Sequence, residues 1–160
     1  MSLVEIDIAI GCDGWPSEIA LAEMAQTAFS TTMAVLELQE QFNVSLLFTD
    51  DASVQTLNAK WRGKDKPTNV LSFPAGDSPM ETEIEFLGDI ALALQTVQRE
   101  SLEEGKIFDH HLTHLLVHGF LHLCGYDHET GEQDAEEMET LERAILARLA
   151  IADPYAINED

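Results

Sequence analysis

His118-Gly119-Phe120-Leu121-His122-Leu123-Cys124-Gly125-Tyr126-Asp127-His128 is the stretch on which the reading of this chain turns. Residues four apart on a helix share a face, so His118 and His122 present two imidazoles to one point, the arrangement used by helical zinc sites. Gly125 is a good helix terminator, and Gly125-Tyr126-Asp127 lets the chain reverse so that His128 closes on the same ion. Three nitrogen ligands leave the fourth tetrahedral position for water, the mark of a catalytic rather than a closed structural zinc, so hydrolysis is expected. Imidazole sites also accept nickel or another divalent transition metal. Most isolated HxxxH pairs are ordinary polar residues on a half-buried helix. A third histidine after a glycine turn moves the balance to ligation.

All six histidines fall between positions 110 and 128. His110, His111 and His114 are read as surface or supporting residues, since zinc needs no further protein ligand. Cys124 lies roughly 200° around the helix from His122 and faces the core. Asp127 has two readings of equal weight, an imidazole-orienting acid or a turn residue. Helical zinc proteases carry Glu beside the first ligand as general base, and here that position is Gly119, which disfavours peptide hydrolysis. Gly119 either leaves room for a bulky substrate or permits close helix packing.

Working outward, residues 3–10 alternate apolar and acidic side chains as a half-buried strand does, and residues 43–49 make a second strand. Residues 68–73 form a strand stopped by Pro74, and 84–92 a strand interrupted at Gly88 by a bulge or a close backbone approach. An amphipathic helix starts at Ser17 and runs into the thirties. A shorter one follows an Asp50-Asp51 cap, shows Val54, Leu57 and Trp61 on one face, and ends near Gly63. Helices are expected over 93–104, 109–124 and 132–149, the last with a Met138, Leu141, Ile145 and Leu149 stripe. Residues 75–83 read as an exposed loop. These elements describe a single α+β domain over 1–160: about four strands in a mixed sheet, four to six helices, the zinc site at the end of a central helix, and a loose tail of about eight residues.

The chain holds 30 acidic and 8 basic residues, a formal charge of −22. Such a field repels polyanions, so a nucleic acid would have to be attracted locally. Lys60, Arg62, Lys64 and Lys66 are half of all the basic residues, and an arginine fork suits phosphate. The two cysteines match no disulfide framework. The amino terminus has no basic region ahead of an apolar stretch, and no apolar run approaches a membrane span, which points to a cytoplasmic protein without a membrane partner.

The stretch 118–128 resembles the HGxLHLxGYDH signature of the YbeY metal-dependent endoribonucleases. Arg62-Gly63-Lys64-Asp65-Lys66-Pro67-Thr68-Asn69-Val70-Leu71-Ser72-Phe73-Pro74 is similar to that family's RxxxxPTDVLSFP segment, with Asn69 where many members have Asp. Leu87-Gly88-Asp89-Ile90 resembles its LGDI element. The resemblance implies one zinc on His118, His122 and His128, with Arg62 in the cleft. It further implies cleavage of single-stranded RNA, with the 16S rRNA precursor as substrate in 3′-end maturation and ribosome quality control. Ribosomal partners follow, and no DNA substrate. On that reading the metal and Arg62 stabilise charge developing on phosphorus. The nucleophile is either metal-activated water or the RNA 2′-hydroxyl.

Overall fold

The computed structural model describes residues 3–75, 84–127 and 130–155. In chain order the elements are β1 (Val4–Ile10), α1 (Glu18–Leu36), β2 (Phe42–Thr49), α2 (Asp51–Arg62), β3 (Val70–Pro74), β4 (Glu85–Ala93), α3 (Leu94–Glu103), α4 (Phe108–Leu123) and α5 (Glu132–Arg148). The strands form one mixed sheet in the order β1-β2-β4-β3, parallel except for β3 against β4. This is the α+β architecture that the element pattern predicts.

Side-chain alternation decides which residues enter the main core. On β2, Phe42, Val44, Leu46 and Phe48 are buried while Asn43, Ser45 and Leu47 are only half-buried. The buried set faces α1 and α4, and Phe29 of α1 stacks on Phe120 of α4 with ring centroids 4.6 Å apart. On the opposite face α2 packs Val54 against Leu71, Ala91 and Ala93. α4 touches α1, α3, α5, β3 and β4, which makes it the central helix.

Local chemistry sets the boundaries. Ser17 Oγ accepts a hydrogen bond from the Ala20 amide at the start of α1, and Asp50 Oδ1 does the same for Ser53 at the start of α2. Gly63 closes α2 at φ 69°. Gly88 satisfies both expectations made of it: the register against β2 skips Leu87, and a Cβ on Gly88 would run into the Phe73 carbonyl oxygen.

Four expectations need correction. β3 begins at Val70, so Thr68 and Asn69 precede the strand. α2 buries Asn58 rather than Trp61, whose indole is 63% exposed. α5 buries Met138, Glu142, Ile145 and Leu146, so Glu142 takes a place on the inner face that the Leu141 and Leu149 stripe did not anticipate. α1, finally, is long and apolar enough to cross a membrane by length and composition, and here it buries Leu21, Ala25, Ala28, Phe29 and Met33 in the protein core. Of the expected 75–83 loop, Ala75 is exposed and 76–83 lie outside the described residues.

Candidate active site

α4 ends in a Schellman turn: the Gly125 amide bonds the His122 carbonyl, the Tyr126 amide bonds the Leu121 carbonyl, and Gly125 has φ 103°. His118 and His122, both half-buried, sit on the last two turns, where the carbonyl end of the helix carries partial negative charge that favours a cation. Their Nε2 atoms face each other at 3.1 Å. Two nitrogens on one tetrahedral zinc are separated by about 3.3 Å, so the pair is already spaced for a shared ion. His128 lies outside the described residues.

The other nitrogen of His118 is engaged. Its Nδ1 bonds Glu142 Oε1 at 2.7 Å, while Glu142 Oε2 takes His114 Nε2 at 2.6 Å and the Tyr155 hydroxyl at 2.5 Å. Burial alone would push the Glu142 carboxyl up; hydrogen bonds from His114 and His118, and their charge, outweigh it and hold it at about 2. Burial and then the hydrogen bond to Glu142 raise the Tyr155 phenol. A carboxylate on Nδ1 sets the tautomer that leaves the Nε2 lone pair for a metal. His114, His118 and Glu142 themselves form a group that can hold a metal, their ligand atoms lying within 4.8 Å of one another. Sequence reading missed Glu142 and Tyr155. The signal was an acid spaced four after Met138 and three before Ile145, on the stripe meant for the core.

Arg62, Lys64 and Lys66 line the same cleft as His118, His122 and Asp127, a space of about 410 Å³. Arg62 Nη2 donates to the Ser72 carbonyl at 3.3 Å, and Ser72 Oγ donates to the Gly119 carbonyl at 3.2 Å. A two-step chain therefore joins the arginine to the histidine helix. The loop holding the lysines is pinned from α2: Asn58 Nδ2 donates to the Lys66 carbonyl at 2.9 Å, and the Lys64 amide donates to the Asn58 carbonyl at 3.2 Å. Lys60 is not part of this lining and lies instead over the Trp61 ring. Gly119 is buried, and a Cβ there would come within 3.1 Å of Ile90 and of Ser72 Oγ. Of its two readings, close packing of α4 on the sheet is the one the structure bears out.

His111 braces the neighbouring α3 and is not among the residues that line the cleft. His111, buried, bonds Glu100 Oε1 at 3.0 Å through Nε2, and the same carboxylate accepts from Asn69 Nδ2 at 3.0 Å. Asn69 thus has a specific use that Asp would lack, since an amide can donate to Glu100. Cys124 packs against the core, and burial followed by the charge of Glu85 pushes its thiol up to about 12. Both cysteines are free.

The family model described as endoribonuclease YbeY matches residues 14–150. The chain belongs to the YbeY family. The Chelativorans sp. (strain BNC1) YbeY endoribonuclease is 58% identical over 153 residues, covering 94% of this chain and 93% of that protein. Those of Rhodopseudomonas palustris (strain BisB18) and Agrobacterium fabrum are 52% and 48% identical; the first comparison spans 94% of this chain and 91% of the relative, the second 99% of each. Among solved structures, TM1509 from Thermotoga maritima superposes with a TM-score of 0.56 at 21% identity over 95% of this chain and 99% of that one, a likeness of fold.

Proposed function

We propose that this YbeY protein is a zinc-dependent endoribonuclease that cuts single-stranded RNA in the cytoplasm, acting on the 16S rRNA precursor in 3′-end maturation and in ribosome quality control. Family membership supports a phosphodiester hydrolase with an RNA substrate. The observation that carries the metal assignment is the convergence of His118 and His122 Nε2 at 3.1 Å, with His118 Nδ1 already taken by Glu142. We assign the third ligand to His128 from its place after the glycine turn. Bound there, the ion supplies Lewis acidity that activates the nucleophile and offsets charge at the phosphodiester.

The chain's own groups supply the rest. Arg62 extends into the cleft from the end of α2, and its guanidinium donates to a phosphate oxygen where negative charge grows in the transition state. Lys64 and Lys66 draw the backbone into a cleft on a molecule whose net charge of −22 repels it elsewhere. The residue that follows the first ligand in the chain is not a carboxylate but Gly119, packed on the sheet, so proton removal from the nucleophile does not fall to an HExxH glutamate.

Metal analysis of the purified protein paired with cleavage of an unstructured oligoribonucleotide tests this reading. Arg62→Ala should lower kcat at least a hundred-fold, on the scale of losing one preorganised charge-stabilising group, with metal content unchanged. His122→Ala should lose the ion. Should Arg62→Ala shed metal as well, or His122→Ala keep it, the assignment is wrong. The second outcome would move the ion to the His114, His118 and Glu142 side.

A further inference from the structure

The face of the sheet opposite α4 is only partly covered. Beyond α2, Ser45, Leu47 and Phe73 are half-buried and Asp89 is exposed. A second cavity of about 680 Å³ opens there, lined by Leu47, Leu57, Trp61, Phe73 and Ala91. Arg62 and Ser72 line both this cavity and the metal cleft, so the two spaces adjoin at these residues. A strand with a phosphate on Arg62 would reach the apolar cavity with the nucleoside beside it.

Trp61 is the feature that chooses the occupant. It precedes Arg62 directly, is 63% exposed, and carries the Lys60 ammonium 5.1 Å from its ring centroid. A bare indole contributes nothing to this core, yet it stands within the most basic segment of a strongly acidic chain. An aromatic platform beside a cationic track is how single-stranded nucleic acid is held: the cations take the backbone, and the unpaired bases stack on the rings. Asp89 on the cavity wall adds an acceptor for the N–H edge of a base. An apolar peptide would have no use for the shared arginine or the flanking lysines.

We propose that this cavity is a nucleobase subsite, in which the base next to the bond being cut stacks on Trp61 while Arg62 holds the intervening phosphate. The proposal rests on the endoribonuclease reading above. It adds a requirement for an unpaired base at that position, which accounts structurally for a preference for single strands.

Because Trp61 is exposed and outside both cores, Trp61→Ala should fold with an unchanged Tm and unchanged metal content. It should raise KM for an oligoribonucleotide roughly ten-fold, the scale of one lost base stack, with kcat within about two-fold. Trp61→Phe should recover most of the loss. An oligoribonucleotide with one abasic nucleotide beside the cleavage point should show the same penalty on the wild type and no further penalty on Trp61→Ala. A KM unmoved by Trp61→Ala, or two penalties that multiply, overturns the subsite while leaving the nuclease intact. A 2′-O-methyl oligonucleotide offered to the metal-free protein, where neither nucleophile is activated, separates the two readings. It should quench tryptophan emission of the wild type but not of Trp61→Phe. Quenching without any RNA cleavage would sink the endoribonuclease reading and keep the subsite.

Discussion

α4 carries two acid and histidine networks built from the same residue types, and they do different work. Glu100 of α3 receives His111 and the Asn69 amide and keeps 29% of its side chain exposed; Glu142 of α5 receives His114, His118 and Tyr155 and keeps 1%. Glu100 ties α3 to α4 through His111 and to the residue just before β3 through Asn69. Of these two acids, Glu142 is the one that touches an imidazole whose second nitrogen faces another histidine. A histidine beside a carboxylate is therefore no evidence of a metal centre by itself. What separates the two networks is where the far nitrogen of the imidazole points, and how completely the acid is withdrawn from water.

Breaking Glu142 should have the largest effect. Glu142→Ala strands His114, His118 and the Tyr155 hydroxyl in the interior, which should cost on the order of 3 kcal/mol in the metal-free protein, read from chemical denaturation. Metal affinity should fall at least ten-fold by chelator competition, because nothing then fixes the His118 tautomer. Unaltered affinity would reduce Glu142 to a brace like Glu100. Glu100→Ala should cost about 1 kcal/mol, since its partner His111 is buried but the acid itself is partly in water, and it should leave metal affinity untouched. Loss of metal in that variant would erase the distinction between the networks. The smallest effect belongs to Asn69→Asp, which swaps a donor for a like charge against Glu100 and should lower Tm by a few degrees, equivalent to less than about 1 kcal/mol. A raised Tm would show that Asn69 is not needed as a donor.

Much of the metal centre is legible in the chain because its parts are local. The spacing of His118 and His122 depends only on helical periodicity, and Gly125 terminates the helix through its own backbone freedom. Arg62 stands out from its place in the basic cluster, and it lines the cleft with the two histidines. Glu142 is harder to see because it lies more than twenty residues away, and its value depends on α5 packing beside α4. Trp61 is misread for a related reason. Its spacing from Leu57 fits a buried face, but the sheet offers α2 too narrow a contact to cover the indole.

The sequence by itself determined the strands and helices, the Asp50 and Gly63 caps of α2, the irregularity at Gly88 and the imidazole pair, because each follows from steric and hydrogen-bonding rules acting within a few residues. Only the tertiary structure decided which nitrogen of His118 faces His122 and which bonds Glu142, that Gly119 serves packing rather than substrate room, and that Arg62 lines two cavities. Those facts depend on the placement of β3, β4 and α5 around α4, and such contacts between distant segments leave no periodic trace in the chain.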